Sequence, residues 1–284
     1  LFNALPPMCR LVLVGDADQL PSVGPGAVLS ELIRCGQVPL VMLDKVFRQS
    51  EGSLIAENAR HIRHGETELQ FDGDFQFWSS ADIEQSAQWL ERLYLQEVGR
   101  YGVDNVALLT PFRAKTVTGV RAMNERLRTL VNPPSADKAE LTVGQRVFRR
   151  GDKVMQTKNR EEVSNGDIGY IRKIEQDTDG FLVEVDFHGG RIVSYEDSES
   201  LSHLDLAYAT TIHKSQGGQY DSVLLSIQNL HGRMLKRPLV YTGLTRAKRR
   251  AIVVGDWPAV IRAIETVDTE RRNTLLAARI TQTG

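Results

Sequence analysis

Residues 11–26 read LVLVGDADQLPSVGPG, an apolar run that ends in two acids and an amide. The four aliphatic residues at 11–14 are typical of a buried parallel strand, because the run is short and rich in β-branched side chains. Asp16, Asp18 and Gln19 follow at the expected carboxyl end of this strand, where open α/β sheets place their ligands. The stretch therefore predicts an α/β fold with a polar site at one sheet edge, although such a loop is also typical of a simple polar turn.

Predicted strands and helices alternate along most of the chain. This alternation is typical of a parallel sheet covered by helices. Turn and capping signals set the boundaries of the helices, with Gly36, Gly65 and Asp82 as the clearest examples. We expect helices over 26–35, 53–64, after Asp82 and over 116–131, and strands over 40–44, 75–78, 105–110 and 251–256.

Residues 142–200 change in character. Short strand-like runs are separated there by the turn sequences SNGD, DTDG and HGG. Phe181, Val183, Val185 and Phe187 alternate with polar residues, which indicates a strand with one buried face. The region predicts a small all-β insertion, a barrel of about five strands.

Composition limits the functional class only weakly. The net charge is −1, so any contact with nucleic acid must come from local patches and not from an overall positive field. The two cysteines, Cys9 and Cys35, have no metal-binding spacing and no disulfide framework, which favours a cytoplasmic protein. No run approaches the roughly 20 apolar residues of a membrane span. The first residue is not Met, and no secretory signal opens the sequence, so we expect a piece of a longer protein.

A second polar cluster follows a predicted strand in LLTPFRAKT (108–116). Thr110, Arg113 and Lys115 could meet phosphates there, and Phe112 could stack on a base. A solvated loop with Phe112 in the core is an equally good interpretation of the local sequence.

A third polar cluster, like the first two expected at the carboxyl end of an apolar strand, lies in YATTIHKSQGGQYD (208–221) and YTGLTRAKRR (241–250). His213 and Lys214 offer an imidazole and an ammonium among hydroxyl donors, and Gly217 lets backbone approach a ligand closely. Arg246 offers a planar guanidinium that can stabilise charge in phosphoryl transfer. The alternatives are that His213 is an ordinary surface or core histidine and that Arg246 is one of four solvated cations at a helix end.

Together these motifs resemble those of the RecD-like helicases. GDADQLPSVGPG, VFRQS (46–50), LLTPFR, KVMQTKN with SNGDIG (153–169), TTIHKSQGGQYD and LVYTGLTRAKRR (239–250) occur in the order of that family. The family belongs to the 5′→3′ branch of superfamily 1 and includes the exodeoxyribonuclease V alpha subunit. The resemblance implies a RecA-like P-loop NTPase-type parallel sheet. Residues 1–45 would end a first such domain, 46–141 and 201–284 would form a second, and 142–200 would be its β-barrel insertion.

The same resemblance implies an ATP-dependent motor that moves along single-stranded DNA in repair or recombination, with ATP and Mg²⁺ as cofactors. Gln19 would sense the γ-phosphate, and Arg48 and Arg246 would act as arginine fingers. Asp16 and Asp18 would support the loop and the Mg²⁺ environment, and no side chain is expected to hold a resident metal. Gly217 and Gln219 would lie at the nucleotide. The DNA path would be lined by Thr110, Pro111, Phe112, Arg113, Thr211, His213, Lys214 and Ser215.

Two features depart from the family pattern. Gln219 stands where the family usually has a Glu that bonds the nucleotide ribose, so we expect altered nucleotide contact. The phosphate-cradling G-x-x-x-x-G-K-[ST] motif does not occur in the chain, and neither does the acidic strand that the family places before a stretch like LFNAL. We therefore expect that the chain alone neither binds ATP tightly nor hydrolyses it.

Other functions remain open at this point. The first alternative is the helicase portion of a conjugative relaxase or an RNA-directed relative of the same superfamily. The second is a DNA-binding module without catalysis. Gln19, Arg48 and Arg246 argue against the second alternative, because a pure binding module gains nothing from γ-phosphate sensors. A nuclease is disfavoured, because no acids cluster with metal-binding spacing. Single-stranded DNA is the expected partner, with other repair subunits as an open possibility, no membrane, and a monomer as the default state.

Overall fold

The computed structural model of the chain describes residues 4–6, 8–21, 24, 26–43, 52–178, 180–267 and 274–282. Its α-helices are α1 (Val28–Cys35), α2 (Leu54–His64), α3 (Ile83–Tyr101), α4 (Val120–Val131), α5 (Ser198–Leu201), α6 (Arg237–Leu244), α7 (Trp257–Glu265) and α8 (Leu276–Gln282). Its strands are β1 (Phe75–Ser79), β2 (Val106–Thr110), β3 (Glu140–Val143), β4 (Arg146–Arg149), β5 (Lys153–Gln156), β6 (Ile168–Gln176), β7 (Phe181–Phe187), β8 (Arg191–Tyr195), β9 (Leu204–Leu206), β10 (Ala209–Thr211), β11 (Tyr220–Ile227) and β12 (Ala247–Gly255). Short 3-10 helices cover Val103–Asn105 and Asn229–Met234. Within this part of the chain, every helix is too short or too polar to cross a lipid bilayer.

Local signals in the sequence set the ends of the helices. α1 and α2 both end at a glycine in the left-handed region, Gly36 at φ 67° and Gly65 at φ 82°, where an L side chain would be strained. α3 begins at Asp82, whose carboxylate accepts a hydrogen bond from the Gln85 amide at 2.6 Å. The four predicted helices are therefore confirmed, and the last of them begins at Val120.

Five strands form a parallel sheet in the order β1-β12-β11-β2-β10. All five residues of β2 are buried, as expected for a strand covered on both faces. The strands predicted over 75–78, 105–110 and 251–256 lie in this sheet. The α/β fold class is confirmed.

Helices pack on both faces of this parallel sheet. α2, α6 and α7 form one core with Leu109 and Leu225. α3 and α4 form the other core with Leu108 and Leu224. Adjacent residues of one strand thus enter opposite cores, since side chains alternate across a strand. The result is the covered parallel sheet that the resemblance implies.

The all-β region forms a second, antiparallel sheet in the order β8-β7-β6-β5-β9, together with the antiparallel hairpin β3-β4. Val183, Val185 and Phe187 are buried in its core, as their alternation predicts. Its strands span 140–206, whereas the sequence predicted 142–200, because β9 still pairs with β5. Its edge strands are β8 and β9, so the sheet is open between them.

Two strand predictions are wrong. In the part of the chain that the structure describes, neither residues 11–14 nor residues 40–43 pair with another strand. Val12, Val14 and Val41 are more than four-fifths exposed, at 81%, 91% and 82%. An apolar run forms a strand only where neighbouring strands satisfy its backbone groups, and no such neighbour flanks these residues here. Asp44, the last residue of the second prediction, lies outside the described residues.

Candidate functional site

Gln19 and Arg246 meet directly although 227 positions separate them in the chain. The Arg246 Nη2 atom donates a hydrogen bond to Gln19 Oε1 at 3.1 Å. Arg246 is 4% exposed, and its other guanidinium nitrogens donate to the carbonyl oxygens of Gly218 and Thr242 at 3.2 and 3.1 Å. A buried, multiply bonded guanidinium is rigid, so the amide and the cation form one preorganised pair.

Asp16 holds the amide of Gln19 in place. Its carboxylate accepts hydrogen bonds from Gln19 Nε2 at 2.9 Å, from the Asp18 amide at 3.0 Å and from the Tyr241 hydroxyl at 3.1 Å. Burial and the neighbouring Asp16 carboxylate raise the pKa of Tyr241 to about 12, so the phenol is a neutral donor at physiological pH. The loop is thus anchored to the carboxyl-terminal half of α6.

Three further contacts fix the same loop. Asp18 forms an ion pair with Arg63 at 2.6 Å. The Leu20 amide donates to the Thr242 hydroxyl at 2.8 Å, and Gln216 Nε2 donates to the Leu20 carbonyl at 2.6 Å. Residues 16–20 are therefore held by contacts with α2, α6 and Gln216 and do not form a free polar turn, although the run before them is no strand.

The Arg246 cluster lies at the amino-terminal edge of the parallel sheet. Arg246 directly precedes β12, and Gln219 directly precedes the neighbouring strand β11. We expected all three polar clusters at carboxyl ends of strands, so this part of the prediction is wrong. The reason is that Arg246 lies between the end of α6 and the start of β12. The expectation that ligands bind at carboxyl ends applies to loops that follow a strand, not to residues that precede one.

Gly217 and Gln219 border this cluster. Gly217 adopts φ 82°, which explains why a glycine is needed there. Gln219 is exposed, one residue from the carbonyl of Gly218 that accepts from Arg246. Arg48, the other expected arginine finger, lies outside the described residues together with the rest of VFRQS.

The expected DNA residues lie at the opposite, carboxyl-terminal edge of the sheet. β2 and β10 are parallel neighbours, with Thr110 directly beside Thr211. The loops that follow these strands therefore emerge side by side. Phe112, Thr211 and His213 are partly exposed there, and Arg113 and Lys214 are exposed. Burial lowers the pKa of His213 below its usual value, which favours a neutral imidazole at physiological pH.

Three of the expected DNA residues are buried. Thr110 is fully buried, Pro111 is buried, and Ser215 is 2% exposed. The Ser215 hydroxyl donates to the Ile212 carbonyl at 2.8 Å, and the Thr110 carbonyl accepts from the Ile212 amide at 3.2 Å. Their side chains cannot touch DNA in this conformation; they build the loops that present the other five.

Sequence reasoning missed several residues of both edges. Tyr241, Thr242 and Gln216 support the Gln19 loop, and Asp205 pairs with Arg113 at 2.9 Å. Tyr241, Thr242 and Gln216 lie inside quoted motifs but carry no charge, so nothing in their type distinguished them. Asp205 was assigned to the second α/β segment, not to a site.

The donors at the amino-terminal edge fit a nucleotide phosphate. An amide and a rigid guanidinium are the groups that bind and stabilise phosphoryl oxygens. The carboxylates fit a direct metal site less well, because Asp16 already accepts three hydrogen bonds and Asp18 pairs with Arg63. Among the described residues, no group of three or more His, Cys, Asp or Glu side chains is arranged to hold a metal ion.

Three family models match parts of the chain. Residues 123–187 match the model of the ATP-dependent RecD-like DNA helicase SH3 domain. Residues 206–254 match the UvrD-like helicase C-terminal domain, and residues 1–76 match an AAA domain. Over 99% of its length the chain is 36% identical to the ATP-dependent RecD2 DNA helicase of Deinococcus radiodurans.

The chain is similar to RecD-like helicases along almost its whole length. It is also 32% identical to the RecBCD enzyme subunit RecD of Mycobacterium tuberculosis over 93% of its length. It spans 37% and 48% of the lengths of these two relatives. The fold of this RecD-like chain is similar to that of a Bacteroides Pif1 helicase solved with ADP-AlF3 and single-stranded DNA. The TM-score is 0.52 at 18% identity, over 95% of this chain and 65% of the other.

Proposed function

We propose that this RecD-like chain forms part of an ATP-dependent DNA helicase that translocates on single-stranded DNA, 5′→3′ by family. The observation that carries the proposal is the hydrogen bond between Arg246 and Gln19, because it joins the two expected γ-phosphate sensors in one partly buried pair. ATP with Mg²⁺ would supply the phosphoryl group for hydrolysis.

The residues of this chain have distinct roles in the proposed hydrolysis. Gln19 would orient the attacking water, and Asp16 would fix its amide through the 2.9 Å hydrogen bond. The planar guanidinium of Arg246 would stabilise negative charge on the oxygens of the phosphoryl group during its transfer. Arg48 is proposed as a second such cation, with Gly217 and Gln219 beside the nucleotide.

The opposite edge is the proposed DNA face. The exposed cations Arg113 and Lys214 would neutralise phosphates, and the partly exposed ring of Phe112 would stack on a base. Thr211 and His213 would add neutral hydrogen-bonding groups to this face.

One short segment links the two edges. Residues 211–218 begin on the proposed DNA face and end at Gly218, whose carbonyl accepts a hydrogen bond from Arg246. Midway, Gln216 bonds the Leu20 carbonyl of the Gln19 loop. A shift of either site would therefore move the other, which is what conversion of hydrolysis into movement requires.

The setting of the protein is also proposed here. Resemblance to RecD2 and RecD favours a role in DNA repair or recombination in the cytoplasm, as a monomer or with further subunits.

The decisive experiment measures ATP hydrolysis stimulated by single-stranded DNA, with the full-length protein that carries this chain. Arg246→Ala is compared with Arg249→Ala, because Arg249 belongs to the same basic run but has a side chain that is 69% exposed. We expect strong stimulation that survives in the Arg249 variant. We expect a loss on the order of 10³-fold in the Arg246 variant, the scale of a missing arginine finger.

The other outcomes decide against the proposal. DNA binding without any stimulated hydrolysis would favour a binding module without catalysis. Equal activity of the two variants would make Arg246 a structural cation. Thermal unfolding of each variant shows whether a loss of activity reflects loss of the fold.

A further inference from the structure

The Asp205 carboxylate is held between two arginines from different parts of the fold. Arg113, from the loop after β2, donates from Nη2 to Asp205 Oδ2 at 2.9 Å. Arg146, at the start of β4, bonds Asp205 Oδ1 through its own Nη2. The side chains of Arg113 and Arg146 are 58% and 40% exposed, and that of Asp205 is 23% exposed.

This ion triad lies where the two sheets of the molecule meet. Asp205 is on β9, an edge strand of the antiparallel sheet, and four residues later the chain enters β10, an edge strand of the parallel sheet. A groove at the junction is lined by Arg113, Asp205, Thr211 and Lys214. Arg146 does not line the groove itself, but its bond to Asp205 places a cation of the β3-β4 hairpin at the edge of the groove, next to the proposed DNA face.

Arg146 is positioned by more than its ion pair. Its Nη1 atom donates to the Ser202 carbonyl at 3.2 Å, and its guanidinium lies 5.7 Å from the centre of the Phe148 ring. Because these contacts do not involve Asp205, the guanidinium would stay beside the groove when the carboxylate turns away.

Two guanidiniums that share one carboxylate can share one phosphate, since both anions accept hydrogen bonds from arginine forks. We propose that Arg146 binds a phosphate of single-stranded DNA together with Arg113, and that Asp205 competes with this phosphate for the same two side chains. The inference rests on the proposed function and deepens it, because it assigns a backbone contact to the antiparallel unit.

Competition from Asp205 would help the enzyme to release the phosphate as it moves along DNA. A translocating enzyme must release each phosphate that it binds. A carboxylate that takes back both arginines offsets part of the free energy lost on release. Asp205 thus lowers the affinity of Arg113 and Arg146 for the phosphate, while both cations stay in place.

The test measures binding of a fluorescein-labelled oligothymidylate to the full-length protein by anisotropy at several salt concentrations. Asp205→Asn removes the competing charge and keeps the shape of the side chain. We expect about 3- to 10-fold tighter binding, the scale of one charge close to a phosphate in a partly solvated groove. Asp186→Asn, on an exposed position of β7, makes the same change in net charge away from the groove and should leave binding unchanged.

Arg146→Ala tests the phosphate contact itself. We expect roughly 5-fold weaker binding and a salt slope smaller by about 0.7, the loss of one phosphate contact on a single strand. The matched control is Arg172→Ala on β6, whose side chain is 49% exposed and pairs with Glu184 at 3.5 Å.

Each outcome has a separate meaning. No binding of the oligonucleotide by the unchanged protein would overturn the proposed function itself. Normal binding that Asp205→Asn leaves equal or weaker would overturn only the competition. Normal binding with no change of slope in Arg146→Ala would overturn the assignment of Arg146. Equal tightening by both aspartate variants would reduce the effect to net charge.

Discussion

The ring of Phe112 lies edge-on to the buried ring of His231, with the ring centroids 5.1 Å apart and the planes at 85°. His231 follows β11 and is 1% exposed. Its Nδ1 atom accepts a hydrogen bond from the Gln228 amide at 3.0 Å, which requires that nitrogen to be unprotonated. The proposed base-stacking residue thus rests on a histidine that must stay neutral.

Stability should fall in mild acid because of His231. Burial lowers its pKa from 6.5 to about 4. As the pH falls from 6.5 towards 4, the unfolded chain takes up the proton and the folded chain does not, so stability is lost across this window. At pH 5 this one group should reduce the free energy of unfolding by about 2 kcal/mol.

Urea unfolding at pH 8 and pH 5 measures this loss in the unchanged chain and in His231→Gln. The glutamine variant cannot titrate and should lose that part of the pH dependence, whatever its absolute stability. His188→Gln is the control, because His188 is exposed. An identical pH dependence in all three proteins would contradict the assignment.

The amino-terminal cap of α3 should contribute measurably to stability. Asp82→Ala leaves the Gln85 amide without the 2.6 Å hydrogen bond, and should lower the free energy of unfolding by about 1 kcal/mol. Asp82→Asn keeps an oxygen acceptor and should cost only a fraction of this. Urea unfolding at neutral pH compares the two. Equal losses would show that charge and not capping is what Asp82 provides.

Helices were predictable because their signals are local. Gly36, Gly65 and Asp82 act within one turn of the residues they terminate or cap. The strand predictions over 11–14 and 40–43 were wrong because a strand needs partners that the run itself does not specify. β9 was missed for the same reason, since its pairing with β5 joins residues about 50 positions apart.

Two glycine-to-alanine substitutions should have opposite signs. At Gly169 on β6, an added Cβ would lie 2.7 Å from the Asp186 carbonyl oxygen and 3.0 Å from Phe187 Cα, so backbone must move. We expect a loss of about 1–3 kcal/mol, the usual cost of overpacking. At Gly99, inside α3, the added Cβ would meet nothing within 4 Å. There we expect a gain of about 0.5–1 kcal/mol, since alanine restricts the unfolded chain.

Thermal and urea unfolding of the two variants check this pair. A neutral result at Gly169 would show that β6 and β7 can separate without cost. A loss at Gly99 would show that the helix is constrained there by something other than backbone entropy.

The sequence motifs identified candidate residues at both edges of the parallel sheet. They did not predict which of these residues contact each other. Gln19 and Arg246 were both candidates, yet only the fold reveals their 3.1 Å hydrogen bond. Thr110 and Ser215 looked like donors and proved to be buried, because side-chain type does not indicate burial at a strand end. Asp205 was missed because an acid in a cationic groove has no motif of its own.

The chain as printed should neither bind ATP tightly nor hydrolyse it. Gln19 and Arg246 are proposed to contact the γ-phosphate, and the sequence contains no G-x-x-x-x-G-K-[ST] loop whose amides would cradle the rest of the triphosphate. Calorimetric titration with Mg²⁺–ATP should therefore show no saturable heat, and phosphate release should match the buffer, with and without oligothymidylate. Circular dichroism on the same sample establishes that the chain is folded. Turnover that persists through purification and disappears in Arg246→Ala would contradict the prediction, because the phosphates would then be held by residues of this chain.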